Sequence, residues 1–220
     1  MRQLNFGNFP LQFITNGKDG QECVCQAQKV LEGGCRWVQL RMKDAQDGEI
    51  EETAKEIKLH TDNYGATFII DDKVDICKRV GASGVHLGKN DMSPEDARKA
   101  LGEEFIIGGT CNTLDDILAV KDYVDYIGCG PFRFTTTKKN LAPTLGLDGY
   151  KKLVWECRSL GVNIPIVAIG GITLSDIGDV LQAGPDGIAM SGEIIRSADM
   201  SNMTAQVVEA INSSRPQVMS

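Results

Sequence analysis

Eight short runs of β-branched and other apolar residues recur along the chain, and stretches of helical length follow most of them. Strands that alternate with helices pack as a parallel sheet, so eight such units predict an α/β protein, a single-domain (β/α)8 TIM barrel. Loops that follow barrel strands share one face, where residues distant in sequence meet. The predicted strands are Leu11–Thr15, Trp37–Leu40, Thr67–Ile70, Gly84–Leu87, Phe105–Gly108, Val124–Ile127, Ile166–Ile169 and Gly187–Met190.

Composition and charge fit one domain over residues 1–220, with an ordered barrel at about 10–212. Hydrophobic residues make up 42%, which is enough for a core, and a net charge of −7 argues against nucleic acid held on a broadly basic surface. No apolar run approaches the ~20 residues of a membrane span, no apolar leader opens the chain, and the seven scattered cysteines are typical of reduced core thiols. A cytoplasmic protein without a membrane partner is expected, and its oligomeric state stays open.

Helix starts are marked by a capping residue followed three positions later by an acid. The pattern occurs a few residues after three predicted strands, at Ser93–Asp96, Thr113–Asp116 and Thr173–Asp176. Amphipathic spacing predicts helices, and the last residues are expected to fray. The helices are Ile50–Tyr64, Gly149–Leu160 and Met203–Ile211, and the frayed end is Asn212–Ser220.

One connection, Gly128–Gly146, is unusually long and lacks a helical pattern. Loops of this length in compact domains are usually lids or binding loops rather than plain surface. It carries Thr135, Thr136, Thr137 and Lys138, which supply hydroxyl donors and a cation for phosphate. We therefore expect a substrate-binding lid here, with a solvated surface loop as the alternative.

Cationic side chains follow the second predicted strand. If Val38 and Leu40 face the helices, alternation turns Gln39 and Arg41 toward the barrel interior or its rim, and Lys43 follows. Arginine and lysine at the end of a strand in an acidic protein predict an anion site. Ion pairs with nearby acids at the rim are the alternative.

Carboxylates end the next two strands. Asp71 and Asp72 close strand 3, Asp91 follows strand 4, and adjacent barrel strands bring all three toward one volume. Carboxylate oxygens suit Mg²⁺, which takes one or two of them together with substrate phosphates. Capping of a helix over Lys73–Val80 by Asp71 or Asp72 is the alternative. Beside the cations, a metal–diphosphate site explains more of these residues.

Glycine turns follow strands 7 and 8, at Gly170–Gly171 and Ser191–Gly192. Barrels often bind a phosphate between these two loops on backbone N–H groups, and glycine permits the close approach. The residues therefore predict a second site, for a monophosphate.

No good nucleophile–base pair is present. His60 falls on the outer face of a helix, and His86 within strand 4 is expected to be a packed, hydrogen-bonded side chain. A site rich in anion-stabilising groups and poor in bases fits the departure of a diphosphate better than acyl hydrolysis.

Together these motifs resemble the thiamine phosphate synthase (thiamine-phosphate pyrophosphorylase) family from about Phe13 to Ile195. Each motif alone is weak, but their shared order and spacing are specific. The matching stretches are Val38–Lys43, Ile69–Asp75, Gly84–Asp91, Tyr126–Pro131, Thr135–Lys138 and Val167–Ile172.

The resemblance implies a transferase that joins a pyrimidine diphosphate to a thiazole phosphate and releases pyrophosphate by a dissociative route. It implies that Mg²⁺ binds Asp72 and Asp91, and that the pyrimidine diphosphate binds Gln39, Arg41, Lys43 and Lys138. The implied contacts of the thiazole phosphate are Thr135, Thr137, Gly171, Ser191 and Gly192. The predicted substrate-binding set also includes Leu40, Met42, Asp71, Thr110 and Thr136, and the predicted catalytic residues are Arg41, Lys43, Thr110 and Lys138.

Four positions depart from the family pattern: Asp71 stands where Asn is usual, Thr110 replaces Ser, Asn112 replaces His, and Phe134 replaces Pro. An extra carboxylate at position 71 would repel a diphosphate unless it is neutralised. Three alternatives stay open: a thiazole tautomerase-like relative, a sugar-phosphate isomerase or aldolase, and a non-catalytic barrel that binds a phosphate ligand. The first would need the missing histidine, and the second gives Asp72 and Asp91 no role.

Overall fold

The computed structural model describes residues 11–134 and 144–214. Eight parallel strands close into a barrel in chain order, each paired with its neighbours in the sequence and β1 with β8. The predicted fold class is confirmed. The strands are β1 Leu11–Ile14, β2 Trp37–Leu40, β3 Thr67–Asp71, β4 Gly84–Leu87, β5 Ile106–Cys111, β6 Tyr126–Cys129, β7 Ile166–Ile169 and β8 Gly187–Met190.

Helices surround the barrel. The three predicted capping motifs each lie at the start of a helical segment, as expected. The Ser93 hydroxyl accepts the Asp96 backbone N–H, and the other two motifs form reciprocal capping boxes. The third box opens a 3-10 turn, Leu174–Asp176, before the α-helix starts. The helices are α1 Gly20–Glu32, α2 Asp47–Asn63, α3 Val74–Val80, α4 Pro94–Leu101, α5 Leu114–Val120, α6 Gly146–Ser159, α7 Ile177–Gln182, α8 Gly192–Ile195 and α9 Met200–Ser214.

The core has two layers. Val38 and Leu40 belong to the larger layer, between strands and helices, whereas Trp37 belongs to the small cluster inside the barrel. This alternation confirms that Gln39 faces inward at the end of β2. The inner cluster comprises Trp37, Ile69, Ile106, Tyr126, Val167 and Ala189.

Strand β5 runs three residues further than predicted, to Cys111. Gly108 and Gly109 both pair within the sheet. A Cβ on Gly108 would lie 2.5 Å from His86 Nδ1, so glycine here makes room for a side chain inside the barrel. Thr110 is consequently part of the strand, at its carboxyl end.

Other boundaries also differ from the predictions. The last helix extends to Ser214, so residues 212–214 are helical rather than frayed, and α6 begins at Gly146 instead of Gly149. Thr135, Thr136, Thr137 and Lys138 lie outside the described residues, so the expected lid stays a prediction. Within 11–134 and 144–214, no helix is both long and apolar enough to cross a membrane.

Candidate active site

A sharp turn after β3 presents Asp72. Its φ of 64° is the only positive value of a non-glycine residue in the described ranges, and its backbone N–H donates to the His86 carbonyl at 2.9 Å. This left-handed conformation costs about 1–3 kcal/mol, which is characteristic of functional positions. In the loop after β4, the Asp91 carboxylate accepts the Gly88 N–H at 2.6 Å.

The carboxyl groups of Asp72 and Asp91 are hydrogen-bonded to each other. Burial, this bond and the negative charges of Asp71 and Asp91 raise the pKa of Asp72 to about 7. Burial opposes ionisation of Asp91 too, but its bonds to Asp72 and to the Gly88 N–H outweigh that cost and lower its pKa. The ionised form of Asp72 is therefore disfavoured beside Asp91, as expected of two carboxylates at one site.

Two interacting carboxyl groups suit a hard divalent cation, whose positive charge would favour the ionised form of Asp72. Among the described residues, no group of three or more His, Cys, Asp or Glu side chains forms a complete ligand set. A cation bound here would therefore complete its coordination with water and substrate oxygens, as Mg²⁺ usually does.

Asp71 faces the predicted cations. Its carboxylate accepts a hydrogen bond from Gln39 Nε2 at 2.8 Å and lies 3.5 Å from Arg41 Nε. Helix α3 begins after Lys73 without a side-chain cap, so the capping alternative for Asp71 and Asp72 is wrong. Gln39 Oε1 is buried and has no hydrogen-bond partner among the described residues, which leaves it open to a ligand donor.

Asp71, Asp72, Asp91 and Lys43 line one cleft of about 270 Å³ at the mouth of the barrel. Lys43 Nζ lies 3.9 Å from Asp72 Oδ2, and its side chain is 50% exposed, so it can turn toward a ligand. The rim ion pairs considered as an alternative do form, and the pair of Lys43 with Asp72 lies inside this cleft. Its lining is Leu40, Met42, Lys43, Ile50, Asp71, Asp72, Lys73, Asp91 and Met92.

The second predicted site lies at the ends of β7 and β8. Gly170 and Gly171 have φ values of 102° and 73°, which favour glycine at both positions. Ser191, directly after β8, has a buried Oγ without a hydrogen-bond partner in the part of the chain that the structure describes. A buried hydroxyl without a partner is costly, and a bound phosphate oxygen would satisfy it.

Two arginines that the sequence analysis missed lie over these turns. A Cβ on Gly171 would be 2.5 Å from Arg133 Cγ, and one on Gly192 would be 2.5 Å from Arg196 Nη1. Arg133 is held by Asp176, whose Oδ1 is 2.6 Å from its Nη2. The sequence did contain one signal for Arg133, because this cation stands two residues before the threonine run that starts at Thr135.

Thr110, near the end of β5, and Asn112, just after it, have different roles. Thr110 Oγ1 lies 3.0 Å from His86 Nε2, inside the barrel mouth. Asn112, where a histidine would be expected, donates from Nδ2 to the Gly130 carbonyl, and its backbone N–H donates to Asp116 at 2.9 Å. The side chain of Asn112 therefore stabilises the loop after β6.

The comparisons with known proteins agree with this geometry. A family model described as thiamine monophosphate synthase matches residues 11–194. The chain belongs to this family. The thiamine-phosphate synthase of Phocaeicola vulgatus is 53% identical over 190 residues, which are 86% of this chain and 91% of the relative. The thiamine-phosphate synthase of Bacteroides thetaiotaomicron is 47% identical over 201 residues, which are 90% of this chain and 95% of that relative.

A solved structure of thiamine phosphate pyrophosphorylase from Pyrococcus furiosus superposes with a TM-score of 0.83 at 31% identity. The superposition covers 96% of this chain and 99% of the Pyrococcus furiosus chain. The predicted resemblance and enzyme class, a transferase, are confirmed. The individual site residues stay predictions, which the following proposal uses.

Proposed function

We propose that the chain joins hydroxymethylpyrimidine diphosphate to hydroxyethylthiazole phosphate, forming thiamine phosphate and pyrophosphate. The observation that carries this proposal is the shared cleft, which Asp72, Asp91 and Lys43 line, with Arg41 beside the Asp71 carboxylate of the same cleft. Such a cleft suits a ligand that brings both a cation and several phosphate oxygens.

In this proposal Asp72 and Asp91 hold Mg²⁺, which when bound supplies positive charge to the diphosphate. Arg41, Lys43 and Lys138 add cations around the same group. The open Gln39 Oε1 accepts a hydrogen bond from the pyrimidine amino group. Leu40 and Met42, which line the cleft, provide its apolar wall for the ring. The Thr110 hydroxyl, beside His86 at the mouth of the barrel, contacts the pyrimidine substrate.

The thiazole phosphate occupies the second site. Backbone N–H groups of Gly171 and Gly192 and the unpartnered Ser191 hydroxyl bind its oxygens. Thr135, Thr136 and Thr137, from the segment beyond the described residues, complete this site in the proposal.

The side chains favour a dissociative reaction. The bond between the pyrimidine methylene carbon and the diphosphate oxygen breaks, and its electron pair leaves with pyrophosphate. Arg41 and Lys43 stabilise that departing charge, and the nitrogen lone pair of the thiazole forms the new bond to carbon.

The test measures pyrophosphate and thiamine phosphate with both substrates and Mg²⁺, then with each substrate omitted and with excess EDTA. We expect equal amounts of both products, formed only when both substrates and the metal are present. Isomerised thiazole without pyrophosphate would indicate a tautomerase. Ligand binding without turnover would indicate a non-catalytic barrel.

The Ser191→Ala variant should raise the KM for thiazole phosphate about tenfold and leave kcat nearly unchanged, because it removes one hydrogen bond to the phosphate. Its free energy of unfolding should stay equal or rise, since the native hydroxyl has no partner. Steady-state kinetics and urea unfolding measure both. Ser197→Ala, whose hydroxyl donates to the Ile194 carbonyl at 2.7 Å, is the control that should lose stability without a change in KM. An unchanged KM in Ser191→Ala would contradict the phosphate assignment.

The Asp71→Asn variant should tighten binding of the pyrimidine diphosphate by roughly 1–2 kcal/mol, because it removes a negative charge near the ligand. It also frees Arg41 from its ion pair while the amide oxygen can still accept from Gln39. Calorimetric titration with Mg²⁺ present measures the effect. Weaker binding would show that the Asp71 carboxylate itself holds the ligand or its metal.

A further inference from the structure

A chain of hydrogen bonds crosses the inside of the barrel and ends on Thr110. Gln12 Nε2 on β1 donates to the Tyr126 hydroxyl on β6 at 2.9 Å. The same hydroxyl lies 3.0 Å from His86 Nδ1 on β4, and His86 Nε2 lies 3.0 Å from Thr110 Oγ1 on β5. The chain therefore joins the buried interior to a side chain at the mouth of the site.

The donor at one end sets the direction of the whole chain. An amide nitrogen only donates, so the Tyr126 oxygen accepts from Gln12. Among the described residues, His86 Nδ1 is the one acceptor bonded to the Tyr126 hydroxyl, so the hydroxyl gives its proton to Nδ1, and Nε2 is then the ring nitrogen that carries a proton and donates to Thr110. Because the Thr110 oxygen accepts this bond, its hydroxyl proton remains for another acceptor.

The barrel is built around this ring. A Cβ on Gly108 would lie 2.5 Å from His86 Nδ1, and one on Gly128 would lie 2.9 Å from His86 Cε1. Strands β5 and β6 therefore carry glycine where the imidazole of His86 lies, so the slot holds the ring in one orientation.

Tyr126 is held just as firmly. It is fully buried, and its ring meets Trp37 edge-on with centroids 4.8 Å apart. Burial raises the pKa of Tyr126 far above its usual value, so the hydroxyl keeps its proton at any working pH.

We infer that His86 is a positioning residue: held by Tyr126 and Gln12 with its proton on Nε2, it aims the Thr110 hydroxyl proton at an acceptor of the pyrimidine substrate. The inference rests on the proposed function for the identity of that substrate. A merely structural histidine would fill the same slot, but its tautomer would have no effect on the reaction.

The first test is the tautomer in the ligand-free protein, which does not depend on activity. Nitrogen-15 NMR of histidine-labelled protein should show His86 with a bare Nδ1 and a protonated Nε2. Tyr126→Phe should shift the ring toward a mixture of tautomers. Tyr150→Phe is the matched control, because it also removes a buried tyrosine hydroxyl, one that donates to the Cys129 carbonyl at 2.6 Å. A wild-type ring protonated on Nδ1 would overturn the inference.

The second test is kinetic coupling in the Mg²⁺-loaded enzyme. Tyr126→Phe and Thr110→Val should each lower kcat about tenfold, with little change in the KM for thiazole phosphate. Thr110→Ser should restore most of the rate, because it keeps the hydroxyl. In the Thr110→Val background, Tyr126→Phe should have no further effect, since both act through one hydroxyl.

The outcomes separate this inference from the proposed function. A wild-type enzyme without synthase activity overturns the proposed function, whereas the tautomer remains measurable. An active enzyme in which Tyr126→Phe and Thr110→Val lower kcat independently overturns the positioning role. A loss of stability in Tyr126→Phe matched by Tyr150→Phe, with only the former losing turnover, supports it.

Discussion

Replacing Asp91 by Asn should lower turnover by about a thousandfold, because one of two proposed metal ligands loses its charge and a bound metal contributes several kcal/mol. The fold should be kept, since the amide oxygen can still accept the Gly88 N–H that Asp91 accepts now. Turnover at saturating substrate and the free energy of unfolding are the two measurements.

Metal binding gives an independent readout of the same variant. Titration with Mn²⁺ by paramagnetic resonance should show one site in the wild type and a much weaker one in Asp91→Asn. Asp115→Asn, an exposed carboxylate in the first turn of α5, is the matched control and should change neither result. Full turnover in Asp91→Asn would remove Asp91 from the metal site.

The second large effect is expected from Arg41→Met, which should lower kcat/KM for the pyrimidine diphosphate by about 10²–10³-fold. The variant loses a cation at the diphosphate. It also leaves the Asp71 carboxylate, which is 10% exposed, with Gln39 but without its arginine. Breaking a largely buried ion pair from one side is strongly destabilising, so the free energy of unfolding should fall as well.

A double variant separates these two causes. Adding Asp71→Asn to Arg41→Met removes the stranded charge and should recover stability and about tenfold of kcat/KM, while the part due to the lost cation remains. Arg79→Met, which breaks an exposed pair with Glu51 on the helical side, controls for the loss of an arginine. If the second substitution recovers nothing, Arg41 does not neutralise Asp71 in the working enzyme.

Local patterns in the sequence were sufficient to predict the strands and the helix starts of the barrel. Four strands begin and end where the apolar runs do, namely Trp37–Leu40, Gly84–Leu87, Ile166–Ile169 and Gly187–Met190. Alternation also placed Gln39 inward, because successive side chains of a strand face opposite sides. Capping motifs marked helix starts for a similar reason, since a cap involves only four consecutive residues.

Residues of the candidate site could be named from the sequence because barrel topology gathers strand ends on one face. Asp72 and Asp91 were expected to meet, and they are hydrogen-bonded in the structure. The raised pKa of Asp72 was not predictable, because it depends on burial and on the nearby charges of Asp71 and Asp91.

The sequence by itself therefore determined which strands form, which side chains face inward and which residue types reach the mouth of the barrel. Only the tertiary structure decided how those groups pair. The bond between Gln12 and Tyr126 joins residues 114 positions apart, and the place of Arg133 over Gly171 depends on contact between two loops. Such pairings follow from barrel closure, which brings groups together through space, and spacing along the chain carries no record of those distances.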